Sequence, residues 1–171
     1  AGVFLIPQVG FAAPTGGTAV SGGATIPPKS SDMNITSSSA NNVITWQDYS
    51  IAQGERVQYD GGAKTNNYLN IVTGANTSNI NGTIEGGKDV YIVNPNGVIF
   101  GKSAQVNVGN LYVSTQDTGT LNQTNFKGTG ASPLSTTDAG LSDVVNMGNI
   151  TATKVEVYGK NIRFLNAADV T

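Results

Sequence analysis

Carboxylates are the first candidates for chemistry in this chain of 171 residues, because it contains no histidine and no cysteine. That absence excludes thiolate nucleophiles, Ser-His-Asp triads and histidine-based metal sites. β-Proteins that cleave polysaccharides need clustered carboxylates, or a carboxylate-bound Ca²⁺ beside a basic residue. The acidic residues here are scattered, and the close pair Glu85 and Asp89, with Lys88 between them, is typical of a solvated corner. We therefore expect no enzymatic activity, no metal and no cofactor.

The second candidate is the tetrapeptide Asn94-Pro95-Asn96-Gly97, which lies between two apolar runs. Asparagine at the first position can bond to the backbone two residues on, proline presets φ near about −65°, and glycine accepts a positive φ. The tetrapeptide therefore predicts a type I turn at a corner between two strands. These residue types account for a structural corner, and they leave open whether the corner is also a recognition surface.

The charge and hydropathy of the chain limit the kinds of partner that it can bind. The chain carries 9 basic and 11 acidic residues, with a net charge of −2 and a pI of about 4.8. Such a chain is a poor electrostatic partner for nucleic acid or an anionic bilayer, and no run approaches the roughly 20 apolar residues of a membrane span. We expect a monomer without nucleic-acid binding or membrane insertion. The 22 glycines and a charged fraction of 12% are typical of bacterial secreted β-proteins.

The strands that would hold the turn follow a repeated scheme. An apolar residue near a glycine is followed by pairs of alternating apolar residues. The members are Ile84, Val90 and Ile92, Val98 and Phe100; then Val106, Leu111 and Val113; then Ile150, Val155 and Val157, Ile162 and Phe164. Ile84 and Val106 are 22 residues apart, and a period of about 20 to 25 residues built from short strands is typical of a solenoid. The sequence predicts an all-β fold in which Ile84, Val106 and Ile150 stack, although a β-sandwich remains open.

The segment from about 116 to 147 breaks this period and is predicted to be an insertion on one face of the solenoid. A loop of this length needs some structure of its own. We expect a short helical turn only over Asp138–Val145. Tyr91 and Tyr112 are expected to point outward.

Both ends of the sequence suggest a piece of a longer protein. Residues 1–13 combine an apolar stretch with Ala12 and Ala13 before Pro14, which predicts the remnant of a secretory signal. At the other end, Ile162 and Phe164 still follow the coil pattern. We expect the domain to span 14–171 and to be the front of a longer exoprotein.

Several motifs occur in a fixed order along the chain. They are Pro14-Thr15-Gly16-Gly17, Gly23-Ala24-Thr25-Ile26, Val43-Ile44-Thr45-Trp46, Leu69-Asn70 with Val72-Thr73-Gly74, Ile80-Asn81-Gly82-Thr83-Ile84, the stretch from Ile92 to Gly101 around the turn, and Ala104 to Gly109 followed by Ser114-Thr115. Together they resemble the N-terminal secretion domain of two-partner-secretion exoproteins, the group of filamentous haemagglutinin and the high-molecular-weight adhesins. Ile71 departs from the pattern, because related adhesins often carry a basic residue there.

The resemblance implies a right-handed parallel β-helix of three sheets, with cap strands at its N-terminal end and an insertion outside the helix. It implies a secretion-targeting and folding-nucleating domain that passes through the periplasm of a Gram-negative-type bacterium. Its partner would be the periplasmic part of an outer-membrane β-barrel transporter of the TpsB type, and its destination the medium or the cell surface. The turn Asn94, Pro95, Asn96 and Gly97 is then the candidate site for the transporter, with Asn70 as a second candidate.

Another class of function stays open at this stage. A β-helix at the cell surface could itself bind host glycan or protein, and the full-length protein could contact a host cell. Binding to the transporter's periplasmic domains, compared with binding to glycans, would distinguish the two.

Overall fold

The computed structural model describes residues 12–138 and 140–165, and this part of the chain winds into stacked coils of short parallel strands. Sheet I contains β1 (Thr18–Ser21), β3 (Asn41–Trp46), β5 (Asn67–Val72), β8 (Asp89–Val93), β11 (Asn110–Ser114) and β14 (Lys154–Tyr158), in that order. Sheet II contains β2 (Asp32–Ile35), β4 (Arg56–Tyr59), β7 (Thr83–Gly86), β10 (Gln105–Asn107) and β13 (Asn149–Thr151). Sheet III contains β6 (Ser78–Ile80), β9 (Val98–Phe100), β12 (Val144–Asn146) and β15 (Ile162–Phe164).

Four coils take one strand from each sheet, whereas the first coil contributes β2, β3 and an isolated parallel bridge from Ile51 to Ile80 beside sheet III. The predicted three-sheet parallel β-helix is therefore confirmed. Val106 lies in register with Ile84 on one side and with Ile150 on the other, as the period predicts. The same inward alignment places Val90, Leu111 and Val155 in one column of sheet I. All of the strand pairs between successive coils are parallel in the described residues, which excludes the sandwich.

The N-terminal end of the helix is capped by antiparallel chain. β1 pairs antiparallel with β3, and Thr15 and Thr25 form isolated antiparallel bridges to Asp48 and Thr36. Of the segment 1–13 predicted as a signal remnant, residues 1–11 lie outside the described part. Ala13 is only 1% exposed and packs in the main core, so it belongs to the folded domain.

The insertion covers the outer face of sheet I. It leaves the coil after Ser114 and returns at β12, so Val144–Asn146, predicted as insertion, is a coil strand paired with β9. The predicted helical turn over Asp138–Val145 is wrong: the α-helix of the described residues, α1, spans Gln123–Thr129. The Asn122 side chain accepts a hydrogen bond from the Asn125 N–H, and Gly130 ends the helix in a left-handed conformation.

A second core lies between the insertion and sheet I. Phe126 of α1 is fully buried and packs edge-on against Tyr91, with ring centroids 5.5 Å apart. Tyr91 and Tyr112 stack at 4.2 Å. Both tyrosines project from the outer face of sheet I, but the insertion covers them, so that Tyr91 is only 1% exposed and Tyr112 only 7% exposed. The two tyrosines therefore point outward from the coil, as expected, but they are buried because the insertion covers that face of sheet I.

Candidate functional site

The Asn94–Gly97 turn is a corner between β8 of sheet I and β9 of sheet III. The Gly97 N–H donates to the Asn94 carbonyl at 3.1 Å, which closes a four-residue turn. Asn96 is not among the described non-glycine residues with positive φ, which excludes type II and agrees with the predicted type I geometry.

Asn94 points into the helix and is completely buried. Its amide nitrogen donates to the Asn76 carbonyl and to Ser78 Oγ, both at 2.9 Å. Its Oδ1 accepts from the backbone N–H and from Nδ2 of Asn96, again at 2.9 Å. One fully buried side chain thus satisfies polar groups of its own turn and of the preceding coil.

Pro95 and Asn96 form the half-buried tip of the turn. Asn96 Nδ2 donates to the Gly74 carbonyl at 2.8 Å, and Thr77 Oγ1 donates to the Asn96 carbonyl at 2.8 Å. From the other side, Ser142 Oγ donates to the Pro95 carbonyl at 2.7 Å. The turn is therefore attached to the coil before it and to the coil after it.

Gly97 is required by both conformation and space. Its φ is +112°, a value that favours glycine, and a Cβ added there would lie 3.2 Å from the Asp143 carbonyl oxygen. The same Asp143 carbonyl accepts a hydrogen bond from the Val98 N–H. A side chain at position 97 would push against the end of the insertion.

Equivalent corners lie above and below the turn in a column, which we call the corner column, comprising Asp48, Asn76, Asn96, Asp143 and Asn161. Asn76 Nδ2 donates to Asp48 Oδ1 at 2.9 Å, and Asn161 Nδ2 donates to Asp143 Oδ1 at 2.9 Å. Asparagine amides therefore connect successive coils along this edge, and the Asn94–Gly97 turn occupies the middle of the column.

Asn70, the second candidate from the sequence, lies inside the helix and is fully buried. Its Oδ1 accepts from the Trp46 indole N–H at 2.9 Å, and its Nδ2 donates to the Tyr91 carbonyl at 3.1 Å. These hydrogen bonds go to β3 and β8, so Asn70 fixes three neighbouring strands rather than joining the turn. Its side chain has no contact with solvent in the folded domain.

A pair of buried tyrosines lies in the same interior. The hydroxyls of Tyr49 and Tyr59 share a hydrogen bond of 2.8 Å. Burial raises the pKa of Tyr59 well above its ordinary value, and burial likewise raises the pKa of Tyr49. Both phenols are therefore neutral across the physiological range and serve as structural groups.

The outward face of sheet II carries two ion pairs that share one arginine. Arg56 contacts Asp32 at 2.7 Å and Glu85 at 2.8 Å. The hydrogen bond from Arg56 holds the pKa of Asp32 below its ordinary value. Asp89 Oδ1 accepts from Asn110 Nδ2 at 2.7 Å, so Glu85 and Asp89 each have a separate structural partner. In residues 12–138 and 140–165, no three acidic side chains are grouped so that they could hold a metal ion.

Two shallow depressions flank the corner column on the side of sheet III. One, of about 360 Å³, is lined by Asn96, Ile99, Leu141, Val145 and Lys160 among others. The other, of about 440 Å³, includes Lys29, Asp48 and Asn76, and Thr77 lines both. Sequence reasoning missed this surface, because its residues come from five coils and from the end of the insertion. The Ser142–Pro95 contact spans 47 positions, and no local pattern predicts it.

Comparison with known proteins now identifies the class. The sequence model of the TPS secretion domain matches residues 11–170. The capped parallel β-helix with this corner is therefore a secretion domain by sequence match, and the chain belongs to the TPS secretion domain family. The resemblance inferred from the ordered motifs is confirmed. This is a family of secretion domains and not one of enzymes, and its members are secreted through the periplasm.

Two similar proteins come from Haemophilus influenzae. A heme/hemopexin-binding protein of strain Rd is 33% identical over 104 residues, which cover 61% of this chain and 12% of that protein. A second heme/hemopexin-binding protein is 34% identical over 99 residues, covering 57% of this chain and 11% of its own length. This chain thus corresponds to only a small part of those relatives. The crystal structure of the HMW1 secretion domain matches with a TM-score of 0.76 and 27% identity, over 90% of this chain and 41% of that one.

None of the described helices is long and apolar enough to cross a membrane.

Proposed function

We propose that this domain directs a large exported, adhesin-like protein to its own outer-membrane transporter of the TpsB type. The transporter's periplasmic domains bind the domain, and the rest of the protein follows through the barrel to the medium or the cell surface. The match of the TPS secretion domain to residues 11–170 carries this proposal, since it covers nearly the whole chain. The likeness to the HMW1 secretion domain supports it independently.

The fold also suits a domain that nucleates folding. Each added coil buries apolar side chains, worth about 25 cal/mol per Å², and extends three parallel ladders. In a solenoid each coil interacts mainly with its neighbours, so growth proceeds from an end that is already formed. The antiparallel cap over the first coil supplies such an end. Folding outside the cell would then favour outward movement of the chain.

Within this proposal the turn residues divide their roles. Pro95 and Asn96 are half-buried and provide the part that a transporter can touch. Asn94 and Asn70 act from the interior, because they are fully buried and their amides bond to neighbouring coils. Gly97 permits the corner to close against the insertion.

Export from cells with and without the transporter tests the proposal. The chain should reach the medium only when its transporter is present, and an Asn96→Ala variant should be exported less although it melts above the assay temperature. Asn107→Ala, at an exposed position on sheet II, is the matched control and should be exported normally. Export that does not depend on the transporter would refute the targeting function. Normal export of Asn96→Ala would restrict the turn to a structural role.

The alternative function is direct adhesion of this domain to host glycan or protein. The curated relatives are named for binding heme or hemopexin, but this chain spans about an eighth of their length or less. A glycan array probed with the purified chain distinguishes the alternatives. Transporter-dependent export without glycan binding supports the targeting role, and selective glycan binding without transporter binding supports adhesion.

A further inference from the structure

The outer surfaces of the three sheets differ in what they offer to a partner. The outer face of sheet I is covered by the insertion. The outward positions of sheet II are polar or charged throughout: Asp32, Asn34, Arg56, Gln58, Thr83, Glu85, Gln105, Asn107, Asn149 and Thr151. On sheet III the outward register is Asn79, Ile99, Val145 and Arg163, so two apolar side chains stack there in a half-exposed position. Sheet III is thus the one described sheet with an open apolar strip.

Leu141 extends this strip toward the Asn94–Gly97 turn. It is 58% exposed, the highest value among the large apolar side chains of the described residues. It is nevertheless fixed in place, because its N–H donates to the Thr115 carbonyl at 2.9 Å and the next residue, Ser142, donates to Pro95. A fixed, exposed leucine beside Ile99 and Val145 favours contact with an apolar group of a partner.

Basic groups border the same surface in an otherwise acidic protein. Lys29 lies at the cap end, and Lys160 and Arg163 lie at the far end; all three are exposed. None of them takes part in an ion pair between described residues. The nearby carboxylates of Asp48 and Asp143 bond to neutral asparagine amides and keep their charge. Three basic groups and two acidic groups therefore leave an excess of one positive charge around the apolar centre.

From these observations we propose that the sheet III face between Lys29 and Lys160 binds an extended segment of the transporter's periplasmic domains that carries acidic residues around an apolar one. This inference rests on the proposed function and assigns its binding surface. The two depressions run from the first coil to the fifth, which is four strand spacings of about 4.8 Å, or about 19 Å. At about 3.3 Å per residue, an extended segment of about six residues fills that length.

Binding measurements with surface variants test the assignment. The soluble periplasmic domains of the transporter are titrated by calorimetry into the full chain and its variants. Leu141→Asp and Lys160→Glu should each weaken binding about tenfold, and the wild-type affinity should fall as salt rises. Val20→Asp and Lys64→Glu are the matched controls, because Val20 is 49% exposed on the cap strand and Lys64 is exposed at another corner. Both controls should bind within twofold of wild type.

The outcomes distinguish a failure of the sheet III assignment from a failure of the proposed targeting function. If the wild type binds and Leu141→Asp and Lys160→Glu bind equally well, the sheet III assignment is wrong and the targeting function stands. If the wild type fails to bind at all, both proposals fall. Circular dichroism melting of each variant establishes that a loss of binding is not a loss of fold. A variant that melts early is replaced by Leu141→Ser or Lys160→Gln, which change the surface less.

Discussion

Replacing Asn94 by alanine should destabilise the domain by about 3 kcal/mol. The substitution removes four hydrogen bonds of 2.9 Å in a fully buried position. A buried hydrogen bond contributes about 1 kcal/mol net, and a buried partner left unsatisfied costs about 1–3 kcal/mol. Ser78 Oγ is fully buried and loses a partner, which accounts for most of the loss, whereas the groups of the exposed Asn76 and the half-buried Asn96 can bond to water instead. The four bonds therefore do not add in full, and the total stays at about 3 kcal/mol.

Urea unfolding read by the fluorescence of Trp46, the single tryptophan, measures this change. The midpoint should fall while the dependence on denaturant stays constant, since the exposed surface on unfolding is the same. For a domain of this size about 3 kcal/mol corresponds to a loss of about 6–12 °C in Tm.

The control is Asn107→Ala, because Asn107 is exposed on sheet II. It should change the free energy of unfolding by less than about 0.5 kcal/mol. Asn94→Asp should be at least as destabilising as Asn94→Ala, since it loses both amide donor bonds and buries a charge. A loss below about 1 kcal/mol for Asn94→Ala would refute the view that this interior amide holds the corner together.

Three further predictions follow from other parts of the structure. Burial is the main cause that raises the pKa of all six tyrosines. Their phenolate absorption should therefore appear at higher pH than that of free tyrosine, and the stability of the domain should be complete below about pH 10 and fall as the pH rises further. Titration of the folded protein at the pH of free tyrosine would contradict this. Phe126→Ala should cost about 3–5 kcal/mol in urea unfolding by opening the second core, whereas Phe164→Ala, 55% exposed, should cost far less; equal losses would mean that the insertion is not packed. Gly128→Ala should raise Tm slightly, because a Cβ in α1 meets nothing within 4 Å, whereas Gly97→Ala should lower Tm, because Gly97 has a positive φ. A higher Tm for Gly97→Ala than for Gly128→Ala would contradict the helical conformation of Gly128 and the left-handed conformation of Gly97.

Much of the fold could be predicted from local sequence because a solenoid repeats one short-range pattern. The spacing from Ile84 to Val106 sets the length of one coil, and the register between them follows from it. The turn could be predicted as well, since each of its residues suits its position. Asn94 resembled a surface residue in sequence, however, and its burial depends on Asn76 and Ser78 in another coil.

The insertion was the least predictable part, and the reason is physical. Seven residues of α1 are too few for an apolar period, so only its cap residues Asn122 and Gly130 could have signalled it. The continuous apolar and aromatic run of residues 90–93 is typical of a strand buried on both faces, and it indicates a covering layer over sheet I. The sheet III surface depends on where the insertion rejoins the coil at Val144, which sequence spacing cannot give.

Hydrogen–deuterium exchange of the chain, with and without the transporter's periplasmic domains, would show which surface of the β-helix the transporter covers. We expect added protection at 76–79, 95–99, 141–145 and around Lys160, with the amides of sheet II unchanged. Protection confined to sheet II, or a general loss of protection across the coils on binding, would contradict the claim that a folded β-helix presents the edge beside Asn94–Gly97 to its transporter.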